Sequence, residues 1–178
     1  CASYLRAKYS FNIIGIQPAV KPAAVDAKKC VVLATPATAS SSGIKELVER
    51  FGNGVTEILA CPELAVYIEN NIFDIDKDAI TGLLPDIEAD SIVLGCTHYV
   101  FIEDLVKARY KCKIFDGIDG TARHLANVLG CVQEDKQSAS PQALIDNVLF
   151  VGGDERKNRK VLEKLINDRG GVCGNFSH

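Results

Sequence analysis

Residues 91–99 read Ser91-Ile92-Val93-Leu94-Gly95-Cys96-Thr97-His98-Tyr99. A short apolar run meets a glycine; a thiol, a hydroxyl and an imidazole follow, ahead of an amphipathic stretch that ends near Tyr110. The pattern predicts a strand, a tight turn and a helix, the repeating unit of α/β folds. In such folds the carboxyl ends of parallel strands carry the ligand-binding loops. A cysteine at that edge, at the start of a helix, meets free backbone N–H groups and the positive end of the helix dipole, and both favour thiolate over thiol. Thr97 is placed to cap the helix, and His98 adds a side chain suited to proton transfer near neutral pH. The competing reading makes Cys96 a small apolar filler, the commonest fate of a free cysteine.

Outward from this stretch, strand-length apolar runs alternate with segments of helical period. Strands are expected at residues 12–16, 30–34, 55–60, 91–95, 113–116 and 147–151. A helix-like stretch follows the prolines at 18 and 22 and runs to residue 28. Ile44, Leu47, Val48 and Phe51 mark an amphipathic helix entered through Ser40-Ser41-Ser42-Gly43, with Ser42 near capping-box spacing from Lys45-Glu46. Pro62 opens a helix to residue 70, and further helices are expected over 75–87, 120–129 and 154–166. Residues 133–142 are polar and read as a loop. The alternation predicts an α/β fold, a mainly parallel sheet flanked by helices. Its loops at residues 35–42, 61–63, 95–98 and 116–121 then converge on one edge. Their hydroxyls, thiol, imidazole and amides suit a small polar anion such as an amino acid. Helix capping is an equal reading for residues 40–42 and a weaker one for Thr35 and Thr38.

Composition narrows the class. With 178 residues, 47% hydrophobic and 24% charged, the chain can bury a core, and disorder is excluded. The net charge is −3 and the basic residues are dispersed, so no nucleic-acid footprint appears. No apolar run approaches the ~20 residues of a membrane span, and a soluble protein is expected. Seven cysteines without a Cys-x-x-Cys pair, beside three histidines, argue against a metal site and a disulfide framework and for the reducing cytoplasm. The chain has no methionine and opens Cys1-Ala2-Ser3-Tyr4-Leu5-Arg6, in the manner of mid-helix sequence. It lacks a signal-peptide pattern, and a truncated or trimmed polypeptide is expected.

Three of these segments resemble motifs of the glutamate racemases: Leu94-Gly95-Cys96-Thr97-His98-Tyr99, Leu33-Ala34-Thr35-Pro36-Ala37-Thr38, and Cys61-Pro62-Glu63-Leu64 leading to Glu69. Ile13-Ile14-Gly15-Ile16 with Pro18 and Pro22, and Leu149-Phe150-Val151-Gly152-Gly153-Asp154, resemble the same family in the same order. The resemblance implies racemisation of glutamate without pyridoxal phosphate, any other cofactor or a metal, by two cysteines on opposite faces of the α-carbon. Inversion needs two groups, one removing a proton from one face while the other returns one to the opposite face. By resemblance Cys96 is one of the two thiols and deprotonates L-glutamate. His98 assists it, Glu69 accompanies His98, and Thr97, His98, Thr35 and Thr38 bind substrate. The product would supply D-glutamate for peptidoglycan. A cytoplasmic homodimer is implied for the full-length enzyme, with no nucleic acid or membrane partner.

The resemblance also implies an Asp/Glu racemase-like fold with one nearly complete α/β domain and remnants of a second. Residues 1–16 and 116–178 would belong to the first racemase domain and 17–115 to the second. The family's Asp-Ser-Gly and Cys-Asn-Thr segments do not occur here, and Val100 stands where proline is usual. A gapless register places the partner cysteine several residues before Cys1. Two rival readings remain: a racemase or isomerase for another acid such as aspartate or maleate, against which His98 argues, and a non-catalytic racemase-like binding module.

Overall fold

Val31 and Leu33 point to one face of a sheet, and Cys30, Val32 and Ala34 to the other; all five are buried. A strand covered on both faces is the mark of a parallel sheet packed between helices, which explains why residues 30–34 read as a continuous apolar run. The computed structural model describes residues 2–130, 145–146, 148 and 153–168. Helices α1 (Ala2–Lys8) and α2 (Val20–Ala23) precede β1 (Cys30–Ala34). Then come α3 (Pro36–Ser40), α4 (Ser42–Phe51), β2 (Thr56–Ala60), α5 (Leu64–Asn71), α6 (Lys77–Leu83) and β3 (Ser91–Leu94). A 3₁₀ helix (Thr97–Ile102) leads into α7 (Glu103–Tyr110), β4 (Lys113–Phe115), α8 (Ile118–Leu129) and α9 (Glu155–Asp168).

The four strands pair in parallel in the order β2-β1-β3-β4, with Val32 opposite Ile58 on one side and Val93 on the other. The fold is therefore the expected mainly parallel α/β sheet flanked by helices. On one face Val31, Leu33, Ile92 and Leu94 pack with Leu64, Ile68, Ile80, Tyr99 and Val106. On the other, Val32 and Val93 pack with Val20, Ala23 and Ile44.

By contacts the chain divides into two units. One comprises Cys1–Asn71 with Ile75–Val132 and holds the whole sheet; the other comprises Ile72–Asp74 with Gln133–His178. Within the second, Arg159 of α9 pairs with Asp146 at 3.7 Å and Glu155 at 3.6 Å. Apart from residue 148, the strand expected over 147–151 lies outside the described residues, as do the loop 133–142, the tail 170–178, the segment 149–152, and Cys1, Cys131 and Cys173. Among the described residues no helix is long and apolar enough to cross a membrane.

Several elements differ from the sequence reading. Residues 12–16 form no strand; the Ile13 carbonyl accepts from Arg6 Nε at 3.0 Å, and among the described residues the segment has no ladder partner, without which an apolar run does not become a strand. Beyond Ala23 the expected helix to residue 28 is not formed. The helix expected over 75–87 contracts to α6, capped by Asp76 and ended at Leu84, because Pro85 forces the residue before it out of the helical region. The cap of α4 is Ser41, whose Oγ accepts from the Ile44 N–H, rather than Ser42.

Cys61 follows β2 and is 3% exposed. Burial pushes its thiol from an ordinary value of 9.0 up to about 11. The folded state thus holds a proton that the unfolded chain releases first, so this contribution is complete below pH 9 and lost as pH rises through 11. We expect the unfolding free energy from urea titrations to fall between pH 9 and 11, and Cys61→Ala to remove on the order of 2 kcal/mol of that fall.

Candidate active site

A parallel sheet whose second strand turns to one side of the first and whose third returns to the other leaves a crevice at the switch point, here between the carboxyl ends of β1 and β3. Thr35 follows β1, and Gly95-Cys96 follows β3. Gly95 donates from its N–H to the Leu33 carbonyl at 2.8 Å, which extends the ladder one residue past the strand. A Cβ at Gly95 would lie 2.7 Å from the Leu33 carbonyl oxygen and 3.0 Å from Val32 Cγ1. Glycine is required there by close approach, and it sets the position from which Cys96 emerges.

Cys96 has extended backbone and is the N-cap of the 3₁₀ helix, without a capping hydrogen bond from its side chain. Thr97, expected to be the cap, is instead the first helical residue and is exposed. A cap must stand outside the helix with β-region dihedrals, and Cys96 occupies that place. The element is also a 3₁₀ helix rather than the start of one α-helix. With three residues per turn, Tyr99 and Ile102 eclipse one another, and they are its two buried residues.

Cys96 Sγ lies 3.7 Å from His98 Nδ1, and His98 Nε2 lies 2.5 Å from Glu69 Oε2. Glu69 comes from α5, 29 positions earlier in the chain. With its carboxylate accepting from Nε2–H, the ring turns Nδ1 to the thiol, where it accepts the S–H proton or, when doubly protonated, donates to the thiolate. The His98 and Glu69 side chains are 34% and 50% exposed, so a polar solute can reach the pair. A thiol, a two-nitrogen shuttle and a carboxylate in sequence can move one proton on and off a bound molecule.

The threonines of the β1 loop are locally engaged. Thr35 Oγ1 accepts from the Thr38 N–H at 3.3 Å and donates to Thr38 Oγ1 at 3.0 Å. Thr35 is thus the cap of α3, the reading given less weight from sequence; the signal was Pro36 at the first helical position. In this arrangement Thr38 keeps its own O–H for another acceptor. Asp116 Oδ1 accepts from the Ile118 N–H at 2.9 Å and shapes the turn after β4.

Tyr99 was not singled out by sequence. It is fully buried, donates from its hydroxyl to the Cys61 carbonyl at 3.4 Å, and is held neutral by burial, with the Cys61 and Cys96 thiols adding to that effect. Its signal was the spacing of Tyr99 and Ile102. Cys30 and Cys112 stand at the opposite, amino-terminal edge of the sheet. There a cavity of about 240 Å³ is lined by Asp26, Lys28, Asp90, Lys113 and Phe115. Asp90 is committed to the backbone N–H groups of Lys28 and Lys29 at 2.9 Å each. Among the described residues no group of three or more His, Cys, Asp or Glu side chains is arranged to hold a metal.

No protein-family model matches the chain. It is 33% identical to a glutamate racemase of Leptospira interrogans over 135 residues, 72% of this chain and 53% of that one. A glutamate racemase of Halothermothrix orenii is 34% identical over 175 residues, 90% of this chain and 67% of that one. The crystal structure of Escherichia coli glutamate racemase in complex with L-glutamate and the activator UDP-MurNAc-Ala superposes with a TM-score of 0.64 at 29% identity, covering 78% of this chain and 56% of that one. The chain thus spans about half the length of the Leptospira relative and about two thirds of the Halothermothrix one.

Because Gly95 abuts backbone rather than a movable side chain, Gly95→Ala should lower the unfolding free energy by about 1–3 kcal/mol in urea denaturation. Gly43→Ala, where an added Cβ meets nothing within 4 Å, should not.

Proposed function

The chain belongs to the glutamate racemase family, and from that premise we propose that it interconverts L- and D-glutamate without a cofactor, by a two-base mechanism in which Cys96 serves one face of the α-carbon. The observation that carries this reading is the relay Cys96–His98–Glu69, assembled at the switch point from two separate elements.

The steps follow from the geometry. As thiolate, Cys96 takes the α-proton of L-glutamate while a second thiol on the opposite face delivers one, and the carbon inverts. In the reverse direction Cys96 returns the proton. Glu69 keeps the imidazole plane fixed, so that Nδ1 meets Sγ in both directions. His98 passes the thiol proton through Nδ1 and resets the site between turnovers. Thr97 and the free O–H of Thr38 are proposed to bind the substrate carboxylates, with Thr35 orienting Thr38. The presence of L-glutamate in the E. coli racemase structure supports the choice of substrate. Among the described cysteines, Cys61 is buried and Cys30 and Cys112 sit at the far edge, so none of these three stands as the second thiol.

The proposal extends to the cell: the product is D-glutamate for peptidoglycan, made in the cytoplasm, where the four described free thiols persist reduced. We further propose that residues 17–115 form one racemase domain around the four-stranded sheet, that 1–16 and 116–178 belong to the other, and that the enzyme is a homodimer.

Incubation of the protein with each enantiomer of glutamate in heavy water tests the mechanism by the α-deuterium content of both. Cys96→Ser should slow racemisation by at least about 10²-fold, with residual exchange confined to D-glutamate. Unchanged interconversion in that variant would sink the assignment, and absence of label from either enantiomer in the wild type would favour a binding module.

A further inference from the structure

We propose that Tyr99 is the positioning residue of the His98–Glu69 pair, its buried ring fixing the 3₁₀ helix against α5 at the spacing the pair requires. His98 and Glu69 belong to different elements, so their 2.5 Å contact is only as well defined as the seat of one on the other. The 3₁₀ helix has little of its own to define it. It is six residues long, its N-cap side chain makes no capping bond, and 3₁₀ hydrogen bonds are poorly aligned in runs of that length. What anchors it is the eclipsed pair Tyr99 and Ile102, 0% and 1% exposed.

Of these two, Tyr99 adjoins His98 in sequence and shares an apolar cluster with Leu64 and Ile68 of α5, the helix that carries Glu69. Its hydroxyl reaches the carbonyl of Cys61, three residues before α5 begins, and its N–H donates to the Cys96 carbonyl at 3.0 Å. Tyr99 therefore touches both strand-to-helix turns from which the pair is built. The ring supplies the spacing; the 3.4 Å hydroxyl contact is at the long end of hydrogen bonding and adds direction.

The inference rests on the relay reading of Cys96, yet its readout needs no turnover. In the full chain labelled with ¹⁵N-histidine, the His98 N–H held by Glu69 should give a downfield proton resonance at low temperature, assigned by its loss in Glu69→Ala; only two other histidines compete for the assignment. Tyr99→Leu, folded by circular dichroism, should lose that resonance, and Tyr99→Phe, which keeps the ring, should retain it. If the leucine variant does not fold, Tyr99→Met replaces it, since methionine fills irregular space. Persistence of the resonance in a folded leucine or methionine variant, its loss in the phenylalanine variant, or its absence from the wild type overturns the proposal. A wild-type protein that shows the resonance yet exchanges the α-proton of neither enantiomer in heavy water refutes the racemase reading and leaves the positioning role standing.

Discussion

The contact on which the site depends is the approach of Gly95 to the Leu33 carbonyl, where β3 leaves the sheet beside β1. Parallel strands must cross over through helices, so adjacent strand ends in such a sheet are rarely neighbours in sequence. Leu33 and Gly95 are 62 positions apart, and no local preference brings them together. The contact forms because both strands are buried on both faces and their register is fixed by the alternation of Val31 and Leu33 against Ile92 and Leu94. A one-residue slip would exchange the two faces and turn Cys96 away from α5. The position of the thiol is thus a consequence of core packing several residues away.

From that fixed point the relay is completed by elements of unequal strength. Helix α5 is seated through Leu64 and Ile68, both essentially inaccessible. The 3₁₀ helix is intrinsically weak and borrows its definition from the same cluster through Tyr99 and Ile102. Putting His98 on the weaker element and Glu69 on the stronger leaves the imidazole held from both sides, by a carboxylate at Nε2 and by its anchored neighbour along the chain. The half-exposed pair contributes little to stability as an ion pair in water. Its value lies in orienting a ring whose two nitrogens have different partners.

What could be read from the amino acids divides along the same line. Strand β1 was legible to the residue, and β2, β3, β4 and α4 to within one or two, because continuous apolar runs and helical periodicity report burial directly. The parallel order of the sheet followed from the alternation of elements. Residues 12–16 misled because an apolar run reports the capacity to form a strand and says nothing of whether a ladder partner exists. Thr97 misled as a cap because the helix begins one residue earlier than that reading implied, with Cys96 in the capping place. Of the site, Cys96 and His98 were legible as a turn. Glu69 entered through the resemblance to a family, since a contact across 29 positions leaves no spacing to read. Tyr99 was passed over because an aromatic inside a motif looks like part of the chemistry when it is part of the support.

Cys61 and Cys96 show how little the residue type itself decides. Each follows a strand, each belongs to the same face of the sheet, and each adjoins Tyr99. Cys61 is one residue past β2, directly before Pro62 and the turn into α5, and is covered; desolvation there favours the neutral thiol and makes it a filler. Cys96 is two residues past β3, beyond the glycine that extends the ladder, and reaches the rim with an imidazole beside it. In the register of the sheet both thiols stand level with Thr35, since Ala60 lies opposite Ala34 and Leu94 opposite Leu33. Height along the strands therefore does not separate them; cover does, complete over Cys61 and partial over Cys96, together with the imidazole that only Cys96 has beside it.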